Sequence, residues 1–483
     1  MNRLLWISTV LAVSLMESPC ALAQAFRIDD RVIGRTDVHY LDPEFIDVMG
    51  HHKVLFTREP YSTGPLWVAD LDPVTGDFVS GHGLELVVDT GIAALYETLV
   101  NGPEWCADRD GLAVFYTKYD ANKRRQVFRA DMTTPPRITQ LTNDTLDNIH
   151  WAATMNPADP STAFFLVRNY STYGPVLFST DENDIRYDRP LLGYVWLENN
   201  GPRWIPGTKE FVYSKQIAKG KVELVRVDAN TGREIVVTND SIMKFDTWGF
   251  PAPEFNREIC YSALTSDSTL GVYRYLHPGD PFATLFMTIR LPDGEPQKYM
   301  SSIEILQTNL ERFDRTWFAI RGSAYSNALS PRGGSMWIAS LDRDSTERIL
   351  RRVDDGGITG DSISWRVEPE WFVGRDEVFL YYNRYYGNGL ITEFRRCRTG
   401  IPVTPTSVEA PAARASSPYL YPNPATSSVT LRGWSGAVSM HDMLGRRVWQ
   451  GEVADGARID ISSLPPGAYS VRIDRSHLVL VKK

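Results

Sequence analysis

One short pattern recurs along most of this chain of 483 residues. It consists of a proline, a polar residue and an aromatic residue, followed by a turn and a β-rich segment. The clear copies are Pro43-Glu44-Phe45, Pro103-Glu104-Trp105, Pro202-Arg203-Trp204, Pro253-Glu254-Phe255 and Pro369-Glu370-Trp371, and weaker copies are Ile149-His150-Trp151 and Ile303-Glu304-Ile305. Successive copies are about 46 to 66 residues apart, close to the length of one propeller blade. The chain is therefore expected to consist mainly of repeated small sheets.

The segments between the copies have the composition of β-strands. Lys53 to Thr57 and Val378 to Tyr382 are examples of the alternating or apolar runs that follow each copy. The segments Asp72 to Gly76 and Asp228 to Gly232 combine Asp, Thr and Gly, as hairpin turns do. Helical periodicity is nearly absent. We therefore predict an all-β protein whose main part is a β-propeller.

The seven copies favour seven blades, and six is the alternative if the Ile303 copy does not start a blade. The segment Phe26 to Tyr40, ahead of the first copy, also has the pattern of a strand, and the last repeat is short after Arg398. A ring of sheets has no free edge only when its two ends join. We therefore expect the N-terminal strand to complete the last blade.

A second short motif supports the same fold. Leu141-Thr142-Asn143-Asp144 and Val237-Thr238-Asn239-Asp240 occupy the same place in two repeats. Together with the Pro-x-Trp copies, they resemble the TolB-like propeller repeat, in which a strand ends in L-T-x-D and an aromatic follows near P-x-W. The resemblance covers most of Phe26 to Gly400, although the family's S-P-D-G turn is reduced here to remnants such as Ile205 to Thr208. It implies a fold and no particular activity.

The composition changes at Ile401. Residues 401–418 are rich in Pro, Ala, Ser and Thr and form an expected linker, since they contain hardly any large apolar residue. Tyr419 to Lys483 is expected to form a small separate β-sandwich, with strands at Ser428 to Leu431, Ala437 to His441, Arg447 to Gly451, Ala457 to Ile461, Ala468 to Ile473 and Leu478 to Val481.

This last module resembles the type A C-terminal sorting domain of the type IX (Por) secretion system. The residues that carry the resemblance are Tyr421, Pro422, Asn423, Pro424, Asp442, Gly445, Arg446, Gly467, Tyr469 and Lys482. The resemblance implies that the secretion machinery recognises this module and exports the protein across the outer membrane. An exposed terminal strand suits recognition, because an edge strand can pair with a partner sheet.

The N-terminal segment agrees with export. Residues 1–23 contain one early basic residue, Arg3, then a short apolar run and the small residues Ala21 and Ala23 of a cleavage site. This order is typical of a secretory signal peptide, and its apolar run is too short for a stable membrane anchor. We therefore expect signal peptide 1–23, propeller 24–400, linker 401–418 and sorting domain 419–483, with the protein outside the cell or on the outer-membrane surface after passage through the periplasm.

The charge of the chain limits the classes of partner. The whole chain has a formal net charge of −8, and Gln24 to Gly400 holds 41 basic and 52 acidic residues. An acidic body repels phosphate groups, so nucleic acid is not an expected partner. No later apolar run is long enough to predict a transmembrane helix.

The sequence contains no G-x-S-x-G, H-E-x-x-H, P-loop or dinucleotide-binding glycine motif, and no Cys or Cys/His spacing typical of zinc. We therefore name no catalytic residue, metal or cofactor, and we take the repeated aromatic positions as the candidate ligand site: Trp105, His150, Trp151, Trp204 and Trp371. Aromatic side chains bind sugar rings and peptides, although in repeat proteins they also pack one repeat against the next. The sequence favours a secreted module that binds a protein or a glycan, and the alternative is a glycosidase or lyase with carboxylates at the propeller axis.

Overall fold

The structure is a computed structural model. It describes residues 29–35, 37–46, 52–57, 63–84, 86–93, 102–108, 111–143, 148–155, 163–169, 174–180, 185–190, 202–228, 231–265, 269–277, 279–292, 299–306, 313, 315–323, 334–341, 350–353, 364–386, 391–403, 419–421, 425–432, 435–442, 445–454, 457–473 and 476–483. The chain divides into two compact units, Met1–Thr404 and Pro405–Lys483. The predicted signal peptide, with Ala21 and Ala23, lies outside the described residues.

The first unit consists of antiparallel strands in successive groups of four. The inner strands are β2 (Leu41–Ile46), β6 (Glu104–Asp108), β10 (Asn148–Met155), β14 (Arg203–Trp204), β18 (Lys244–Ala252), β22 (Tyr299–Ile305) and β26 (Ser364–Val373). The second strands are β3 (Lys53–Thr57), β7 (Gly111–Tyr119), β11 (Ala163–Asn169), β15 (Glu210–Ala218), β19 (Glu258–Thr265), β23 (Trp317–Ser323) and β27 (Glu377–Tyr386).

The outer half of each group has the same simple order. The third strands are β4 (Gly64–Asp70), β8 (Arg125–Asp131), β12 (Gly174–Thr180), β16 (Lys221–Asp228), β20 (Leu270–Arg274), β24 (Gly334–Ser340) and β28 (Ile391–Pro402). The fourth strands are β5 (Leu86–Ile92), β9 (Arg137–Gln140), β13 (Ile185–Pro190), β17 (Glu234–Val236), β21 (Thr284–Ile289), β25 (Leu350–Arg352) and, in the last group, β1 (Asp30–Val32).

Strand pairing confirms the all-β prediction. Within the described residues, five groups are separate four-stranded sheets, and the first two groups are joined into one eight-stranded sheet by the pair Ile92 and Lys118. The turns at Asp72 and Asp228 also form as predicted, since each aspartate carbonyl accepts the N–H of the glycine four residues later. The first unit is a β-propeller, in which each group of strands is one blade.

The prediction that the N-terminal strand closes the ring is confirmed. Strand β1 pairs with β28 from Asp30 opposite Cys397 to Val32 opposite Arg395. Asp30 accepts hydrogen bonds from the Tyr382 hydroxyl at 2.7 Å and from Arg395 Nε at 2.9 Å. Because the first strand among the described residues lies in the last blade, both ends of the ring are held in one sheet.

Apolar side chains fill the spaces between neighbouring blades. One core joins the fifth and sixth blades, where the rings of Phe250 and Phe318 meet edge to face with centroids 5.7 Å apart. Another joins the first and last blades, where Tyr40 stacks on Phe394 at 5.0 Å. Each sheet therefore buries its apolar faces against its neighbours, as expected for repeated sheets.

The structure corrects two of the sequence-based boundaries. Pro253–Phe255 does not start a blade but forms a short 3-10 turn between β18 and β19, whereas the Ile303 copy lies on an inner strand. In the fifth blade the inner strand carries Thr247 and Trp248 where the motif has proline and a polar residue, so the Pro-x-aromatic pattern of that repeat falls after the inner strand. Strand β28 also continues through Pro402, and Val403 is buried, so the propeller does not end at residue 400.

The second unit contains two sheets. One holds β29 (Tyr419–Tyr421), β30 (Ser428–Arg432) and β33 (Arg458–Asp460), and the other holds β31 (Gly436–His441), β32 (Arg447–Val453), β34 (Gly467–Ile473) and β35 (Ser476–Lys482). Side chains from both sheets share one core, in which Val429 and Leu431 face Met440 and Val471. The predicted small β-sandwich is confirmed. In the part of the chain that the structure describes, no helix has the length and apolar character needed to cross a membrane.

Candidate functional site

Irregularities in the inner strands define the candidate site. The pairing of β2, β18, β22 and β26 with their second strands shifts register near the start of each inner strand. A β-bulge of this kind bends the strand and redirects the side chains next to it. The first paired residue after each shift is Glu44, Trp248, Glu304 or Glu370, and all four therefore occupy equivalent positions.

The residue two positions earlier is acidic and strained in three of these strands. Asp42, Asp246 and Glu368 have φ values of 48°, 48° and 55°, and such a conformation costs a non-glycine residue about 1 kcal/mol or more. Each carboxyl accepts a backbone N–H from the neighbouring blade: Asp42 from Gly102, just before β6, Asp246 from Ile303 at 3.3 Å, and Glu368 from Asp42 at 3.2 Å. These three acids therefore join neighbouring blades.

A second set of polar side chains lies at the centre of the propeller. These residues occupy equivalent positions on the inner strands, and the structure describes their side chains. We define them together as the axial ring: Glu44, Glu104, Arg203, Trp248, Glu304 and Glu370. Glu104 and Arg203 are the first residues of their strands β6 and β14. The ring therefore draws one residue from each of six blades.

Contacts across the ring show that these side chains share one space. Arg203 Nη2 lies 3.7 Å from Glu304 Oε1, and the Arg203 guanidinium carbon is 4.5 Å from the centre of the Trp248 ring. The guanidinium also interacts electrostatically with Glu104 and Glu44. Because β14 and β22 belong to blades that are not neighbours, the contact between Arg203 and Glu304 reaches across the centre of the propeller.

Enclosure raises the pKa of the Glu304 carboxyl. Burial is the main cause and brings this pKa to about 8, against the opposing effect of the Arg203 guanidinium. The acidic groups of Asp246 and Glu104 raise it further. The exposed fraction is 17% for the Glu304 side chain and 25% for the Arg203 side chain. The ring is therefore enclosed by protein but remains accessible to solvent.

The other acids of the site share this behaviour. Burial raises the pKa of Glu44 and of Glu370 well above the usual range, and repulsion from Glu104 and Glu44, respectively, adds to the rise. Burial raises the pKa of both Asp42 and Asp246 to about 6, although Arg203 opposes the change. Several carboxyls of the site therefore hold protons at pH values where an exposed carboxyl is ionised.

The aromatic residues selected from the sequence lie next to this ring. The indole N–H of Trp105 donates to the carbonyl oxygen of Glu44 at 3.0 Å, and that of Trp371 donates to the carbonyl oxygen of Glu304 at 3.2 Å. Trp204 is buried and packs edge to face on Phe211. These three tryptophans contact neighbouring strands, and their role in ligand binding stays a prediction.

His150 and Trp151 lie on β10, and their side chains are outside the described residues. The described residues contain no group of three His, Cys, Asp or Glu side chains placed to hold a metal ion.

The acidic members of the ring were not among the site residues predicted from the sequence. They are the middle residues of the Pro-x-aromatic copies, and the aromatic neighbours drew attention instead. Consecutive side chains of a strand point to opposite faces of the sheet. When the aromatic side chain packs on the neighbouring blade, the side chain of the residue before it therefore lies on the opposite face. The sequence signal for these acids was the glutamate that recurs at the middle position of three copies: Pro43-Glu44-Phe45, Pro103-Glu104-Trp105 and Pro369-Glu370-Trp371.

In the second unit, several residues that resemble the sorting motif shape turns. Asp442 accepts hydrogen bonds from the backbone N–H and from Nε of Arg446, at 2.9 and 2.7 Å, around Gly445 with a φ of 78°. The buried Tyr469 donates its hydroxyl to the Pro465 carbonyl at 2.6 Å. The stretch from Pro422 to Pro424 lies outside the described residues.

The end of the chain is held within the same unit. Lys482, on β35, forms a parallel bridge with Ala425, and the N–H of Ala425 donates to the Val481 carbonyl. Near its end, the terminal strand is therefore contacted on both edges.

Comparison with known proteins identifies the second unit. Residues 419–483 match the family described as the secretion system C-terminal sorting domain. This module is the sorting domain of the type IX secretion system, and it implies recognition by that machinery and export. No curated protein matches the chain.

Solved structures similar to the chain are β-propeller proteins at low identity. TolB from Acinetobacter baumannii is 12% identical with a TM-score of 0.35, over 72% of this chain and 80% of that chain. The β-propeller domain of the trilobed protease from Pyrococcus furiosus is 9% identical with a TM-score of 0.43, over 77% of this chain and 96% of that chain.

Proposed function

We propose that this protein is exported by the type IX secretion system and that its propeller binds a protein or glycan ligand at the axial ring. The observation that carries the proposal is the convergence of four carboxyl groups and one guanidinium, from five blades, at one wet and enclosed place. Charged groups that are kept away from bulk water interact strongly with a ligand that complements them. Trp105, Trp204 and Trp371 then support the ring from the spaces between blades.

The proposed route starts with removal of residues 1–23 and ends outside the cell or on the outer-membrane surface. The domain division that we propose is propeller to residue 403, linker 404–418 and sorting domain 419–483. Deletion of 419–483 should leave the propeller in the periplasm, and immunoblots of periplasm, outer membrane and culture medium measure this. Undiminished export of the truncated chain would contradict the proposed route.

Binding at the ring is tested with arrays of glycans and peptides. The variant Glu304→Gln keeps the shape of the side chain and removes its ability to ionise. Its matched control is Glu258→Gln on β19, where the side chain is 55% exposed and pairs with Arg274. We expect ligands of the native protein to lose binding to Glu304→Gln and to keep it with the control. If ligands bind the native protein, Glu304→Gln and Glu258→Gln with equal affinity, the binding site is not at the axial ring.

The second candidate function is hydrolysis or elimination on a glycan. It is favoured by the pKa of about 8 for Glu304, because a carboxyl that is protonated at neutral pH can act as a general acid. An ionised carboxylate beside Arg203 would then act as base or nucleophile. Incubation with polysaccharides followed by product analysis discriminates the two functions: turnover that is lost in Glu304→Gln supports the enzyme, and binding without turnover supports the binding module.

A further inference from the structure

The axial ring is unbalanced in charge. Among the described residues it combines four carboxyl groups with a single cation, Arg203. The carboxyl groups of Glu44 and Glu370 form no hydrogen bond or ion pair with another described residue, whereas those of Asp42 and Asp246 already accept backbone N–H groups. Repulsion between these carboxyls is relieved either by protons or by a positive group placed among them.

Trp248 supplies an independent feature at the same place. It occupies the ring position that a glutamate holds in four other blades, it is only 7% exposed, and its ring lies against the Arg203 guanidinium. Its indole Nε1 is buried and has no acceptor within the part of the chain that the structure describes. Trp105 and Trp371, in contrast, donate to carbonyl oxygens of neighbouring strands. A buried donor without an acceptor is costly, and an acceptor on a ligand would satisfy it.

We propose, on the basis of the proposed function, that the ligand of the axial ring is a basic segment of a protein. A lysine ammonium group of that segment lies among the carboxyls of Glu44, Glu304 and Glu370, and a carbonyl oxygen of the same segment accepts the Trp248 N–H. A peptide with a basic side chain offers both groups close together. An anionic ligand is disfavoured because it would meet four carboxyl groups and a single guanidinium.

Binding of this kind exchanges a cation for protons. The incoming ammonium favours the ionised form of each carboxyl, which then releases its proton to the solvent. The binding enthalpy measured in phosphate and in Tris buffer should therefore differ, because the two buffers take up protons with different heats.

The test compares three probes by isothermal titration calorimetry on the full chain. The probes are the peptide acetyl-Gly-Lys-Gly-amide, the same peptide with the lysine acetylated, and a neutral oligosaccharide. We expect the lysine peptide to bind about tenfold or more tightly than its acetylated form, because the charge is lost on acetylation. Glu304→Gln and Glu370→Gln should each weaken the lysine peptide by about tenfold, Trp248→Phe should weaken both peptides, and the exposed control Glu258→Gln should change nothing.

The outcomes separate this inference from the proposed function. Equal affinity for the lysine and acetyl-lysine peptides overturns the inference. If only the oligosaccharide binds, and Glu304→Gln abolishes that binding, the inference fails and ligand binding at the ring stands. If the ring variants alter the binding of neither class, both proposals fail. Circular dichroism of each variant verifies its fold, and neutral glutamine is expected to be tolerated because the native carboxyls hold protons.

Discussion

The substitution Glu304→Gln should change how the stability of the propeller depends on pH. The ordinary pKa of a glutamate is 4.5, and burial raises that of Glu304 to about 8. Because the native state holds a proton that the unfolded chain releases, this contribution to stability is complete below pH 4.5 and is lost as the pH rises towards 8. Glutamine cannot ionise, so the variant avoids the loss.

The structure sets the size of this effect. Each pH unit between the two pKa values is worth about 1.4 kcal/mol, which gives an upper limit of about 5 kcal/mol for Glu304. Solvent reaches 17% of the side chain and Arg203 lies 3.7 Å away, and both reduce the cost of the ionised form. We therefore expect Glu304→Gln to be more stable than the native protein by about 2–4 kcal/mol at pH 9 and by much less at pH 5.

Urea denaturation followed by tryptophan fluorescence at pH 5, 7 and 9 measures this effect. The exposed substitution Glu258→Gln is the matched control and should leave the dependence on pH as it is in the native protein. If Glu304→Gln and the native protein lose stability in parallel between pH 5 and 9, the Glu304 carboxyl is not enclosed among like charges, and the description of the axial ring is wrong.

Three further predictions concern two contacts between blades and the strand that closes the last blade, and urea denaturation measures each of them. A Cβ atom on Gly102 would lie 1.3 Å from Asp42 Oδ2. The variant Gly102→Ala should therefore displace that carboxyl and destabilise the propeller by about 2–4 kcal/mol. If the variant were as stable as the native protein, the two blades would not be held closely together at this point. Glu223 and Lys244 form a fully buried ion pair at 2.8 Å, so Glu223→Met should cost about 3–5 kcal/mol, and a change below about 1 kcal/mol would contradict this. Asp30→Ala removes the acceptor that joins the first strand to the last blade and should cost about 1–3 kcal/mol, whereas an unchanged midpoint would show that closure does not depend on it.

Much of the architecture was predictable because repeated sheets leave a strong trace in the sequence. Each blade needs a turn, an inner strand and an apolar face for its neighbour, so proline, aromatic and Asp-Gly positions recur at the spacing of a blade. Closure by the N-terminal strand also followed from general physics, since a free sheet edge is unfavourable. The prediction at Pro253 to Phe255 was wrong because Trp248 replaces the polar residue of the motif in that blade.

The axial ring was not predictable in the same way. Its carboxyls lie between 60 and 326 residues apart in sequence and meet only because the ring of blades closes, so the repeated glutamates do not by themselves show that their side chains converge. The bulges that direct Glu44, Glu304 and Glu370 involve Asp42 and Glu368 in a conformation that non-glycine residues seldom adopt, and sequence patterns carry no signal for it. Burial between blades then sets the pKa values, which again depends on the assembled fold.

Nuclear magnetic resonance of protein labelled with ¹³C at the glutamate carboxyl carbons tests the central claim most directly. A titration from pH 3 to 10 should show exposed glutamates ionising near their usual pKa and the enclosed glutamates ionising only well above it, with one signal near pH 8 that Glu304→Gln removes. If every glutamate signal ionises near the usual value of 4.5, the carboxyls of separate blades do not meet at the centre of the propeller, and the proposed site does not exist.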